Sequence, residues 1–396
     1  MKINENYLNL QDGYLFSTIA KKVKEFASEN PDKKIIRMGI GDVTQPLVPA
    51  VITALQQATA EMGKAETFRG YGEEQGYSFL RDAIRGYYQG KGVTLDNSEI
   101  FVSDGAKSDV GNILDIFAAD NTVLVPDPVY PVYVDTNIMH GRKIVYINGN
   151  IDNEFLPLPA HIPAGTNVDI IYMCSPNNPT GAVYTLPQLQ QWVDYALDNN
   201  AVILFDAAYE AFVRDNSLPT SIYQAKGAEK CAIEFASFSK IAGFTGTRCG
   251  YTIVPQALVC CGVPLNKLWS RRQATKFNGV PYIVQRGAEA VLSGEGYAQI
   301  MQDINGYLEN TRIITDTMDK LSIWYTGGQS SPYVWIKCPN SMGSWEFFDH
   351  LLKNAAVVTT PGAGFGANGE GFLRLSAFNS KENVTEAMQR FENSLK

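Results

Sequence analysis

Apolar and polar positions in this chain follow two alternating periods. The run EIFVSDGA, Glu99 to Ala106, reads as a buried strand. In SDVGNILDIFAAD behind it, Val110, Ile113, Leu114 and Phe117 recur at helical spacing. TVLVPDPVYP predicts another short strand, stopped by prolines. KIVYI, VDIIYMCSP and AVILFDAAY follow, each rich in β-branched or aromatic residues. Between the last two, LPQLQQWVDYALDNN has helical periodicity with Asn residues at its exit. CAIEFASFSK and TRCGYTIVP complete the series. Nearly continuous apolar strands separated by helices imply an α/β class, with a mostly parallel sheet covered on both faces. This large domain is expected over residues 46–287.

The pattern changes over residues 288–396. GYAQIMQDINGYLENTRIITDTMDKL predicts a long helix, SPYVWIKC a strand, SWEFFDHLLKN a helix, VVTTPG and FLRLSAF strands, and KENVTEAMQRFENSLK a closing helix. This is a smaller α+β domain. Residues 1–45 carry an amphipathic stretch, TIAKKVKEFASEN, and the turn-rich MGIGDVTQP. They are too short for a domain and are expected to pack on the smaller one.

Composition narrows the function. The 396 residues are 45% hydrophobic and 19% charged, ordinary for a globular enzyme and unlike a disordered or collagen-like chain. Lys+Arg 33 against Asp+Glu 41 leaves a net charge of −8 with no basic stripe, which argues against nucleic acid as a partner. Six cysteines without a CxxC pair, and three histidines (His140, His161, His350) without HExxH, suggest neither a disulfide framework nor a zinc site. The N-terminal stretch lacks the apolar core of a signal peptide, and no apolar run approaches a membrane span. A cytoplasmic protein is expected.

The densest chemical signal is Ser237-Phe238-Ser239-Lys240 followed by Arg248. A lysine after an apolar strand is ordinarily just driven to the surface. Here two hydroxyls precede it and an arginine follows a glycine-containing turn, a set suited to a phosphate dianion. An amine beside that phosphate could form a Schiff base if its pKa were lowered. Asp206 ends the strand AVILFDAAY, where ligands of open α/β sheets bind, although a capping Asp reads equally well there. Tyr209 could bring a phenol to the same ligand. Asp104-Gly105-Ala106-Lys107 turns from strand to helix, so its amides could face an anion or form only an ordinary turn. In SPNNPTG, Ser175 to Gly181, Asn178 precedes a proline that favours an extended conformation able to present its amide. Arg374 interrupts FLRLSAF, either as an edge residue facing water or as a buried clamp for a carboxylate. Together these groups ask for a phosphorylated, electron-withdrawing heteroaromatic aldehyde bound by a lysine. Pyridoxal 5'-phosphate meets each requirement.

In this order the motifs resemble the fold-type-I pyridoxal-phosphate-dependent aminotransferases, over nearly the whole chain. NPTG, the Asp–Tyr pair, the SxSK lysine and the late arginine are general to that family. FRGYGEEQG, SDGAK and TKFNG point to its members that act on LL-diaminopimelate. The resemblance implies that Lys240 bonds the cofactor and shuttles the proton between Cα and C4′. It implies Asp206 on the pyridine nitrogen, Tyr209 and Asn178 on the ring oxygen, and Tyr130 stacked on the ring. Ala106, Lys107, Ser237, Ser239 and Arg248 would hold the phosphate region, and Arg374 the α-carboxylate. Tyr71 and Asn278 would enter from the partner in a homodimer with shared sites. Lys107, Tyr130, Asn178, Tyr71 and Asn278 would also border the substrate. Tyr14 and Gly41 would lie against it and Glu74 would read its distal ammonium. Two adjacent glutamates, Glu73 and Glu74, leave that last contact open. Ile241 stands where the family has Thr or Asn, and Ala236 where it has Arg. The implied function is ping-pong transamination between LL-diaminopimelate/tetrahydrodipicolinate and glutamate/2-oxoglutarate. Competing readings are an aminotransferase for aromatic or dicarboxylic amino acids, a β-lyase, and a non-catalytic regulator.

Overall fold

The computed structural model describes residues 1–10 and 15–396. Seven strands form the large sheet: β1 (Ile100–Ser103), β2 (Thr122–Asp127), β3 (Lys143–Asn148), β4 (Ile170–Cys174), β5 (Val202–Asp206), β6 (Ala232–Ser237) and β7 (Gly250–Ile253). Their order is β1-β7-β6-β5-β4-β2-β3, and only β7 runs antiparallel to its neighbours. The period of two explains the uninterrupted apolar runs. Ile170, Tyr172, Val202 and Leu204 join one apolar layer with Val110 and Trp269. Ile171, Met173, Ile203 and Phe205 join the opposite layer with Leu189 and Trp192.

The helix Leu186–Asn199 ends on Asn200 in the left-handed region, φ 54°, where a short polar side chain is tolerated. The helix expected behind β1 is shorter than its sequence pattern. It spans Ala106–Asn112 and continues as a 3-10 turn, Ile113–Ile116. Arg142 caps the carbonyls beyond it, donating to Leu114 at 2.9 Å, Phe117 at 2.7 Å and Ala118 at 3.1 Å. Those carbonyls are satisfied without further helical turns.

A second sheet contains β8 (Tyr325–Gly327), β9 (Tyr333–Lys337), β10 (Thr360–Pro361) and β11 (Phe372–Ser376), in the order β8-β9-β11-β10, all antiparallel. The expected strand VVTTPG is split. Val357–Val358 pairs with Ile36–Arg37, and Thr360–Pro361 pairs with β11. The helix Leu15–Glu29 buries Leu15, Ile19, Val23 and Phe26 in this unit's core, beside Phe347, Leu351 and Trp335.

Candidate active site

The carboxyl ends of β1, β4, β5 and β6 open on one cavity of about 400 Å³, within the range of small-molecule sites. Of the residues singled out from sequence, Gly41, Ala106, Lys107, Tyr130, Asn178, Asp206, Tyr209, Ser237, Ser239, Lys240, Arg248 and Arg374 line it. Tyr71, Glu74 and Asn278 do not. All three are exposed, and the loops carrying them lie side by side, the Gly279 backbone approaching Glu73 and Glu74. Tyr14 lies outside the described residues.

Lys240 sits in the short helix Phe238–Ala242, which continues directly from β6. Ser237 caps that helix, accepting the Ser239 amide at 3.1 Å. The Lys240 ammonium donates to the Gly41 carbonyl. Desolvation lowers its pKa to about 8, partly offset by Asp42 and reinforced by Arg374 and Arg248. Ile241 and Ala236 pack in an apolar cluster with Tyr251 and Phe244, where longer polar side chains would lose their hydration.

Asp206 is buried, and its oxygens accept from the Tyr133 hydroxyl at 2.6 Å and the Ala208 amide at 3.0 Å. Neither partner is charged, and desolvation raises the carboxyl's pKa. Tyr133 is itself fixed by stacking on Tyr172, ring centroids 4.9 Å apart.

Arg248 adopts a left-handed φ of 63°, which costs a long side chain of order 1 kcal/mol. That conformation brings Nη1 to Ser239 Oγ at 3.2 Å and lays the guanidinium against the backbone of Gly105. Gly250, which opens β7, is the meeting point. A Cβ there would stand 2.8 Å from both the Ala236 carbonyl and Gly105 Cα. A bare backbone at this position therefore lets the 104–107 turn close on the Ser237–Arg248 segment.

Arg374 resolves the alternative left open by its sequence. It lies on an interior strand, between Trp335 and Thr360, and is 1% exposed. Nη1 donates to Asn178 Oδ1 at 2.6 Å and Nη2 to the Gly39 carbonyl at 2.8 Å, while Nε has no hydrogen-bond partner among the described residues. Its guanidinium lies 4.3 Å from the Tyr333 ring centroid. A buried guanidinium at a cavity wall whose hydrogen-bond acceptors among the described residues are uncharged is suited to an anionic ligand.

Residues 33–391 match the family model of aminotransferase class I and II. The chain belongs to that family. Similar to this aminotransferase is the LL-diaminopimelate aminotransferase of Methanosphaera stadtmanae, 51% identical over 408 aligned residues that cover 98% of each chain. Among solved structures, L,L-diaminopimelate aminotransferase from Chlamydomonas reinhardtii superimposes with a TM-score of 0.94 at 42% identity, covering 100% of this chain and 99% of that one. Substrate-bound BacF from Bacillus subtilis gives 0.87 at 28% identity, covering 99% and 98%.

Several cavity residues of this aminotransferase carried no signal in sequence. Tyr133 supports Asp206, and Tyr333 shares a 2.8 Å hydrogen bond between its hydroxyl and that of Tyr209. Asp42 and Phe16 also line the cavity. Tyr133 lies one helical turn after Tyr130, the one hint that both rings face the same way.

Proposed function

We propose that this aminotransferase is an LL-diaminopimelate aminotransferase that uses pyridoxal phosphate. Glutamate would donate the amino group to tetrahydrodipicolinate, yielding LL-diaminopimelate for lysine and cell-wall synthesis. The observation that carries the reading is the convergence on one cavity of an amine (Lys240), a buried carboxylate (Asp206) and a buried guanidinium (Arg374). The substrate assignment rests on the likeness to the two diaminopimelate enzymes.

The residues present fit this cofactor. Ser237, Ser239, Arg248 and the 106–107 turn form a cradle for a phosphate, and the donors to the buried Asp206 carboxylate among the described residues are uncharged, leaving it to gain from a protonated ring nitrogen. Bound there, pyridoxal phosphate supplies an aldehyde with which amines condense and a ring that takes up the electron pair left at Cα. Arg374 binds and orients the substrate's α-carboxylate through its fork, held against the Tyr333 and Phe365 rings. Lys240 Nζ, with a pKa of about 8, has an appreciable neutral fraction near pH 7–8 to take up the Cα proton and hold it for return. Tyr209, hydrogen-bonded to Tyr333, and Asn178, hydrogen-bonded to Arg374, hold their polar ends in the same cavity.

The active unit in this reading is a homodimer. Tyr71, Glu74 and Asn278 project from the surface instead of into their own chain's cavity, which supports their acting in a partner's site. Among the described residues no helix is long and apolar enough to cross a membrane, and we assign the enzyme to the cytoplasm.

The test is an absorbance spectrum of the protein with pyridoxal phosphate, before and after LL-diaminopimelate is added without any oxo acid. The visible band of the covalently held cofactor should give way to the ultraviolet band of its amine form. Discharge by glutamate with none by LL-diaminopimelate would overturn the substrate assignment and leave the aminotransferase. Lys240→Ala should bind some cofactor noncovalently and lose turnover; near-parental turnover would overturn the reading of Lys240.

A further inference from the structure

The buried carboxylate of Asp127, at the end of β2, faces the loop that leads into β11 and not its own sheet. The Asn368 backbone amide donates to its two oxygens at 3.2 and 3.3 Å. The Asn368 side-chain amide donates to the Asp127 carbonyl at 3.3 Å and to Asn148 Oδ1 at 2.9 Å. Two residues on, the Val129 amide donates to the Phe365 carbonyl at 2.8 Å. Gly366 lies between these contacts with φ +133°, and a Cβ there would collide with Asp127 Oδ1. The loop therefore meets the carboxylate backbone first. Asp127 does not line the cavity.

Both ends of this strap reach the site. Tyr130, three residues after Asp127, lines the cavity, and the Phe365 ring centroid lies 5.0 Å from the Arg374 guanidinium. We propose that Asp127 is a positioning residue, tying the 365–369 loop to the end of β2 and thereby setting the spacing between the Tyr130 wall and the Arg374 fork. The proposal rests on the reading of Arg374 as the carboxylate clamp. The acid is needed because its two oxygens only accept. An Asn at this position would replace one of the two oxygens that share the Asn368 amide with an NH₂ group, and an Ala would leave that amide without its carboxylate partner.

The test uses the cofactor-loaded enzyme and succinate, a dicarboxylate with no amino group to react. Its dissociation constant, read from the cofactor's absorbance, is compared in Asp127→Asn, Asn368→Ala and Arg374→Lys, beside kcat, KM and the thermal midpoint. Misplacing a binding group by a fraction of an ångström should weaken succinate and raise KM about tenfold in Asp127→Asn, with kcat changed by less than about threefold. Asn368→Ala should shift both in the same direction by a smaller factor. Unchanged succinate affinity in both variants, with Arg374→Lys weakened, overturns the role of Asp127 alone. Unchanged affinity in Arg374→Lys overturns the clamp itself. Should Asp127→Asn fail to fold, Asn368→Ala, altered at a half-buried side chain, decides the matter, and wild-type affinity there counts against the proposal.

Discussion

Lys240 shows how far one side chain's chemistry depends on its neighbours. Burial disfavours its ammonium, and Asp42 opposes that effect from the cavity rim. Capture of pyridoxal phosphate by the protein requires the neutral amine, so its rate should rise with pH around a midpoint near 8, well below the 10.5 of a free lysine. Asp42→Asn removes a neighbouring anion that raises the pKa, so its midpoint should move to lower pH. A stopped-flow pH series on the two proteins checks this, and a midpoint unmoved by the substitution would show that Asp42 does not act on Lys240. Lys240, Asp206 and Arg374 were legible in sequence because a charged group in an apolar run demands a reason. Tyr133, Tyr333 and Asp42 were not. A phenol among apolar residues reads as core, and an acid in a turn reads as a cap; only the folded geometry distinguishes them.

At the scale of the element, the helix Ala106–Asn112 joins the cavity to the core. Its Asp109 is buried against Ser103, and desolvation pushes the carboxyl up to about 7. A carboxyl raised above its unfolded value contributes stability that is full below that value, near 4, and lost as pH rises through about 7. Asp109→Asn cannot ionise. Its advantage over the parent should therefore grow by a few kcal/mol between pH 5 and pH 8.5, since a tenfold change in proton activity is worth roughly 1.4 kcal/mol. Denaturant unfolding at both pH values measures it, and an equal difference at the two would refute the burial argument. The inner strands of the large sheet followed from the sequence, because burial on both faces leaves a continuous apolar run. The early end of this helix did not, since Arg142, which takes up its trailing carbonyls, comes from the distant turn before β3.

At the scale of the whole molecule, Phe68 and Tyr71 are 62% and 91% exposed, and Asn278 is exposed nearby. Aromatic rings so displayed favour burial against a second copy. If each cavity borrows Tyr71 from its partner, Lys240→Ala and Tyr71→Ala should each be inactive alone. Their reassorted mixture should recover about a quarter of parental activity, because half the dimers are mixed and one of their two sites is intact. No recovery after reassortment would place each site within one chain. That sharing was suggested by family likeness alone, since periodicity within one chain says nothing about a second.

Gly250 pairs with Ser237 on one side and with Ser103 on the other. The first pairing closes a short local loop that contains Lys240 and Arg248. The second must bring together segments separated by most of the large domain. Loop closure costs more entropy as the loop lengthens, and non-local pairings form slowly. During folding, the lysine and its arginine can therefore find each other early, whereas the Asp104–Lys107 turn docks only once β1 has found β7. The proposed anion cradle would thus be completed late, so tight retention of inorganic phosphate should report that the pairing of β1 with β7 has formed.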